Sequence, residues 1–195
     1  MDEFELKKKA PDQEEVMSFF WEVIKIVVLA LAIIIPVRYY LFQPFFVKRA
    51  SMEPTFNDGD YVLIDEITYR FKDFNRGEVI VFRAPQDHSQ FYIKRIIGLP
   101  GEQVEIKNNQ IIIFNKENPK GFTLNESDYL DKSILTLGNL KEKMGENDLF
   151  VLGDNRLHSS DSRFWGLVDK KLVTGRVFIR AWPLNNIKKF ESVAY

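Results

Sequence analysis

The stretch QFYIKRIIGLPGEQVEIKNNQIIIFN, residues 90–115, holds three apolar runs separated by two turn signals. QFYIKRII (90–97), EQVEIK (102–107) and QIIIFN (110–115) are rich in Val, Ile, Phe and Tyr, side chains that suit a pleated, half-buried surface. Pro100 and Gly101 predict the two central positions of a type II turn, where Pro presets φ and Gly takes the positive value that follows. Asn108 and Asn109 predict a two-residue hairpin, because Asn tolerates positive φ. Strand, tight turn, strand, tight turn, strand is an antiparallel pattern.

The same composition recurs on both sides, in YVLIDE (61–66), EVIVF (78–82), LFVL (149–152) and RVFIRAW (176–182). The expected fold is therefore mainly β, an antiparallel β-sheet domain. Lys116 to Asn147 breaks the pattern with a polar run containing Pro119, Gly121, Gly138 and Gly145. It predicts an irregular excursion, 116–147, between two strands, with a short helix around Gly138 to Lys143. Asn125-Glu126-Ser127 is a glycosylation triplet, but so short a pattern arises by chance and carries no weight.

Upstream lies WEVIKIVVLALAIIIPVRYYLFQPFF, from Trp21. Its uncharged centre, Ile26 to Val37, is too short to cross a hydrocarbon layer of about 30 Å. Extended from Phe19 to Leu41, a helix reaches roughly 34 Å at about 1.5 Å per residue. Lys25 and Arg38 can snorkel toward opposite interfaces, Trp21, Tyr39 and Tyr40 suit the headgroup belts, and Glu22 can pair with Lys25. No second long helix is available to bury it, and no small-x-small site follows that would mark a cleaved signal. The layout predicted is a cytoplasmic tail at 1–18, one N-terminal transmembrane helix at 19–43, and an extracytoplasmic catalytic domain at 44–195. Lys7, Lys8 and Lys9 favour the cytoplasmic N-terminus, against Arg38, Lys48 and Arg49 on the other flank.

Composition removes several function classes. Lys plus Arg is 27 and Asp plus Glu is 28, so no charge excess points to nucleic acid. Cysteine is absent, which excludes disulfides, thiolate metal sites and a cysteine nucleophile. His88 and His158 are the only histidines, too few for a multi-histidine zinc site, and neither metal nor cofactor is expected.

Three stretches are polar within this β-rich chain: SMEPTFNDGDYVLI from Ser51, KRIIGLPGEQV from Lys94, and GDNRLHSSDSRFWG from Gly153. Strand alternation puts Tyr92, Lys94 and Ile96 on one face. A lysine among bulky neighbours is partly desolvated, which disfavours its ammonium form. Lowering its pKa from about 10.4 to the mid-8s takes roughly 2.7 kcal/mol, within what burial supplies. The free amine is a general base, and a serine hydroxyl needs one to become a nucleophile.

These motifs, in this order after an apolar helix, resemble the sequence boxes of the type I signal peptidases, the serine proteases that remove signal peptides from exported proteins. The resemblance covers most of residues 44–182, apart from the excursion. It implies a Ser/Lys dyad, with Ser51 as nucleophile and Lys94 as general base, and cleavage after small residues at −3 and −1. It implies that the Ser159 hydroxyl orients the lysine amine, that Asp154, Asp161 and Arg163 form a supporting salt-bridge group with Arg95 nearby, and that the Ser51 N–H serves the oxyanion hole. Val47, Phe56, Tyr92 and Ile93 match walls of the substrate pockets. The implied partners are signal-peptide-bearing preproteins, the lipid bilayer and a nearby translocon; the implied location is the cell membrane. Phe42, Phe45 and Phe46 are then candidates for holding the cleft at the bilayer.

Two positions depart from the family pattern. Arg49 stands where some members carry a serine as second oxyanion donor; either a backbone group completes the hole or the Arg49 guanidinium joins it. Glu102 replaces the usual Asp, a change expected to matter little. Two competing readings follow from the same residues. His158 could form a Ser/His/Asp triad with Asp154 or Asp161, or the chain could be an inactive membrane-anchored binding module of the same fold.

Overall fold

The computed structural model describes residues 13–40, 42–67 and 71–190. Lys7, Lys8 and Lys9, on which the orientation expectation leans, lie outside the described residues. The chain divides into two compact units, residues 1–40, whose described part is a helix, and residues 41–195, whose described part is mainly β.

Helix α1 runs Gln13–Tyr40 and begins with Glu14 and Glu15 in its first turn, where the positive end of the helix dipole favours carboxylates. Gln13–Ile35 is long and apolar enough to cross a membrane. The helix therefore starts upstream of the expected Phe19 and stops before residue 43. Phe42 and Gln43 belong instead to strand β1 (Phe42–Phe46), which pairs with β2 (Tyr61–Asp65) from Phe42↔Asp65 to Phe46↔Tyr61. Pro44 explains the switch: it cannot continue a helix, yet it is tolerated in a strand at the edge of a sheet.

The other strands are β3 (Val79–Ala84), β4 (Asp87–Gly98), β5 (Gln103–Lys107), β6 (Gln110–Phe114), β7 (Phe122–Thr123), β8 (Leu140–Lys143), β9 (Asp148–Leu152), β10 (Val168–Asp169), β11 (Val173–Trp182) and β12 (Lys188–Lys189). An eight-stranded sheet has the order β1-β2-β11-β3-β4-β9-β10, with β12 on β11; a four-stranded sheet has the order β7-β6-β5-β8. Every pairing is antiparallel. All seven runs named from sequence are strands.

Both turns form as expected. Gly101 has φ +78° and Glu102 N–H closes the turn onto the Leu99 carbonyl at 3.2 Å. Asn108 and Asn109 have φ +51° and +61°, the pair of positive values that a type I′ hairpin needs. The expected helix near Gly138 is wrong. Leu140–Lys143 is β8, paired with β5 through Ile106↔Leu140 and Gln103↔Lys143, because the free edge of β5 offers that segment a ladder of backbone partners.

Glu102 does more than expected for an Asp replacement. Its carboxylate takes a bidentate contact from Arg76 at 2.6 and 2.8 Å, the Leu99 N–H at 2.9 Å and the Asn115 amide at 3.2 Å. Burial alone would raise its pKa, but those donors and the Arg76 charge hold it below the ordinary carboxylate value. The reach of the longer side chain ties the β4–β5 turn to both flanks.

Candidate active site

The nucleophile loop, 47–60, is closed at its base by Val47 N–H to the Asp60 carbonyl at 2.8 Å and Gly59 N–H to the Val47 carbonyl at 2.9 Å. Met52 and Phe56, one turn apart and both without solvent exposure, plug its underside into the apolar cluster formed with Val62, Ile64, Val79, Val81 and Val177. With those side chains inward, Ser51 is left half-buried at the top of the loop.

Lys94 arrives from mid-strand in β4, opposite Ile80 of β3. Its residue exposure is 4%, and Nζ donates to Ser51 Oγ at 2.8 Å and to the Ile93 carbonyl at 2.8 Å. Burial pushes the Lys94 pKa from 10.5 down to about 8, against an opposing pull from the negative charges of Asp161 and Asp154. Desolvation wins, so a usable fraction of free amine exists near neutral pH. Once the amine is free, the same 2.8 Å separation lets it accept the Ser51 proton.

Behind the dyad stand two buried ion pairs. Arg95 makes a bidentate pair with Asp154, Nε to Oδ1 at 2.8 Å and Nη2 to Oδ2 at 2.6 Å, and its Nη1 donates to the Gly77 carbonyl at 2.7 Å. The Thr55 hydroxyl donates to the same Asp154 at 2.5 Å, tying the nucleophile loop to that pair. Arg163 forks onto Asp161 at 2.8 and 2.9 Å, while Asp161 Oδ2 accepts the Gly153 N–H at 3.1 Å. Of the five supporting residues expected from sequence, four thus form two ion pairs, Arg95 being a direct partner of Asp154 rather than a neighbour.

The family model described as "Signal peptidase, peptidase S26" matches residues 20–182. The signal peptidase I of Leptolyngbya laminosa is 30% identical over 91% of this chain and 87% of its own length. Signal peptidase IB of Staphylococcus aureus (strain Mu50) is 33% identical over 83% of this chain and 89% of its own. A solved signal peptidase I from Enterococcus faecalis V583 is 31% identical and covers 54% of this chain and 97% of that one, with a TM-score of 0.44.

The chain belongs to the signal peptidase family, peptidase S26.

Against the family pattern, Ser159 is the main surprise. It is buried beside Gly153, but its Oγ has no hydrogen-bond partner among the described residues, and the lysine amine is held instead by the Ile93 carbonyl. A backbone carbonyl on the same strand was not visible as a candidate, because any residue type supplies one. The triad reading falls. His158 is exposed, while the carboxylate oxygens of Asp154 and Asp161 are occupied by Arg95, Thr55, Arg163 and Gly153.

The expected pocket walls also divide. Phe56 has 0% exposure and its ring stacks 4.4 Å from Phe190, so it is a core residue and no open wall. Val47 is nearly as buried, at 3%. Tyr92 and Ile93, adjacent in β4, point to opposite faces and join different apolar clusters, and both keep partial exposure. Arg49 sits at φ +71°, is exposed, and gives its backbone N–H to Asp58 at 2.6 Å. That bond accounts for an unfavourable backbone conformation at a non-glycine residue.

Asn155 is a polar residue of GDNRLHSSDSRFWG that the sequence does not single out. Its N–H donates to the Ser51 carbonyl at 3.1 Å and its side-chain amide to the Ala50 carbonyl at 3.0 Å, so it grips the nucleophile's backbone directly. Gly153 makes that approach possible. A Cβ there would lie 2.1 Å from Ser159 Oγ and 2.4 Å from the Ser51 carbonyl oxygen. Gly153→Ala should therefore cost about 1–3 kcal/mol in urea denaturation, as overpacking does. Adding Ser159→Gly should recover only part of the loss, since the Ser51 carbonyl stays in the way. Full recovery would show that Ser159 alone sets the limit.

Proposed function

We propose that this chain cleaves signal peptides from exported preproteins through a Ser51/Lys94 dyad. The observation that carries the proposal is the 2.8 Å contact between a 4%-exposed lysine amine and the serine hydroxyl. Ser51 Oγ attacks the scissile carbonyl carbon while its proton passes to Lys94 Nζ. The resulting oxyanion is stabilised by the Ser51 N–H, where a preorganised donor is worth about 3–4 kcal/mol. As the C–N bond breaks, Lys94 returns the proton to the leaving amine, which becomes the new N-terminus of the mature protein. Water then attacks the acyl group on Ser51, giving up its proton to the same amine, and the ester bond breaks to restore the hydroxyl.

Small residues at −3 and −1 would pass Tyr92, which is partly exposed and shares the face of β4 that carries Lys94, its ring centre 5.8 Å from Nζ. Helix α1 holds the enzyme to the membrane with its N-terminus cytoplasmic, and the β unit works on the outer face, where translocated precursors emerge near the translocon. Within the β unit, Phe46, Trp182, Leu184 and Ile187 are all more than half exposed, and Phe46 contacts Tyr61, the register partner of Trp182. These exposed apolar side chains, the first of them in β1, which follows α1 in the chain, support contact with lipid.

The test is cleavage of an exported precursor by the purified chain in detergent, with Ser51→Ala and His158→Ala beside it. Wild type and His158→Ala should cut at one site, and Ser51→Ala should not. Failure of the wild type on every precursor would favour the inactive binding module instead.

A further inference from the structure

The excursion, residues 116–147, lies outside the motifs that carry the family resemblance, yet it reaches the catalytic loop through a buried charge. Arg156, three residues after Gly153, has a side chain with 0% exposure. Its guanidinium is held by Glu126 from the excursion, Nη1 to Oε2 at 2.6 Å and Nη2 to Oε1 at 2.5 Å, and Nη1 also donates to the Thr136 hydroxyl. Its Nε donates to the Gly153 carbonyl at 3.1 Å. Burial works against the Arg156 charge, but the hydrogen bonds and the charge of Glu126 outweigh it and raise the pKa.

Further contacts set the excursion against the lysine strand and the catalytic loop. The Tyr129 hydroxyl donates to Glu126 at 2.5 Å, and the Arg95 guanidinium lies 3.9 Å from the centre of the Tyr129 ring. Arg163 donates to the Arg156 carbonyl at 2.7 Å and to the Leu137 carbonyl at 3.4 Å. The excursion thus lies against arginines of both the catalytic loop and the lysine strand.

We infer that Glu126 is a positioning residue for the nucleophile. Its carboxylate neutralises and aims Arg156, Arg156 holds the Gly153 carbonyl, and the backbone so fixed presents Asn155 to the Ala50 and Ser51 carbonyls. Glu126 touches neither substrate nor Ser51; it acts only through this chain of contacts. A neutral side chain there leaves a buried guanidinium without a counter-charge, and the loop that carries it must shift to reach water. Displacing a reacting group by about 1 Å costs on the order of a hundredfold in rate. The catalytic consequence rests on the dyad proposed above.

The experiment uses the full chain in detergent with three variants: Glu126→Gln, Glu126→Asp, and the double variant Glu126→Gln with Arg156→Met. For Glu126→Gln, kcat should fall about a hundredfold with KM nearly unchanged, as expected when only the reacting geometry is lost. Glu126→Asp, which keeps the charge on a shorter arm, should recover part of it. The double variant removes the buried charge together with its partner, so its melting temperature should return toward wild type. Its kcat should stay low, because the Gly153 carbonyl has lost its donor.

Amide hydrogen exchange at Gly153 and Asn155 gives a second readout that does not depend on cleavage, and Glu126→Gln should speed it. Unchanged exchange in Glu126→Gln overturns the inference, as does a double variant that regains both stability and kcat. Loss of kcat with a matching rise in KM would place Glu126 in substrate binding and overturn it too. If the wild type cleaves nothing, the dyad fails, and the exchange rates alone decide whether Glu126 holds the loop.

Discussion

Lys94→Met should lose about 10²–10⁴-fold in cleavage rate, the usual contribution of a positioned general base, and yet be more stable than wild type at pH 7. The two effects share one cause. Lys94 is buried at 4% exposure and its pKa is held down to about 8, so near neutral pH the folded protein carries a mostly protonated amine in a site that penalises its charge. The unfolded chain, with an ordinary lysine pKa of 10.5, pays no such penalty.

The direction of the pH effect follows. Between about 8 and 10.5 the unfolded state binds more protons than the folded one, so the Lys94 contribution to stability rises with pH across that window. Below it both states are protonated and the full cost, on the order of 3 kcal/mol, is present. Methionine fills similar volume without charge. The advantage of Lys94→Met in melting temperature should be largest at pH 7 and close to nothing by pH 10.5, the upper end of that window. For wild type, kcat/KM should climb with pH and level off above about 8, where the amine is free. A fully active Lys94→Met would remove the dyad; a variant less stable at every pH would mean that the ammonium is not penalised.

How much of this was legible in the sequence depends on which atoms carry the information. Strands such as QVEIK and QIIIF announce themselves because alternate residues are buried, Val104 and Ile106 in the first and Ile111 and Ile113 in the second. LKEK of β8 has only Leu140 partly buried and the other three residues exposed, so no apolar period could reveal it; a free sheet edge decides its conformation. FQPFF is apolar in either state, and only its partner β2 turns it into strand. At the site, Ser51 and Lys94 stood out because their chemistry belongs to the side chain. The Ile93 carbonyl holding the amine is backbone and leaves no signature. Glu126 was hidden for a different reason: it meets Arg156 across thirty positions of polar chain in which one more carboxylate looks like ordinary solvated surface.

Asp154→Ala should be the most damaging single change to the fold around the dyad. It leaves the Arg95 guanidinium, whose side chain is 4% exposed, without its counter-charge and strips the Thr55 hydroxyl of its acceptor. Breaking one side of a buried pair costs about 3–5 kcal/mol, whereas replacing both partners by apolar groups of similar volume is close to neutral. Urea denaturation should therefore show a large loss for Asp154→Ala and most of it regained in Arg95→Met with Asp154→Leu. The single variant also carries a signature that lost packing alone cannot produce. Asp154 is one of the two charges that raise the Lys94 pKa against burial. Without it the amine should lose its proton below pH 8, moving the rising limb of kcat/KM toward acid even as less folded enzyme survives. An unshifted limb in Asp154→Ala would mean that the carboxylate steadies the scaffold without tuning the base. A shift toward alkaline pH would mean that water entering the opened site, rather than the lost charge, governs the amine.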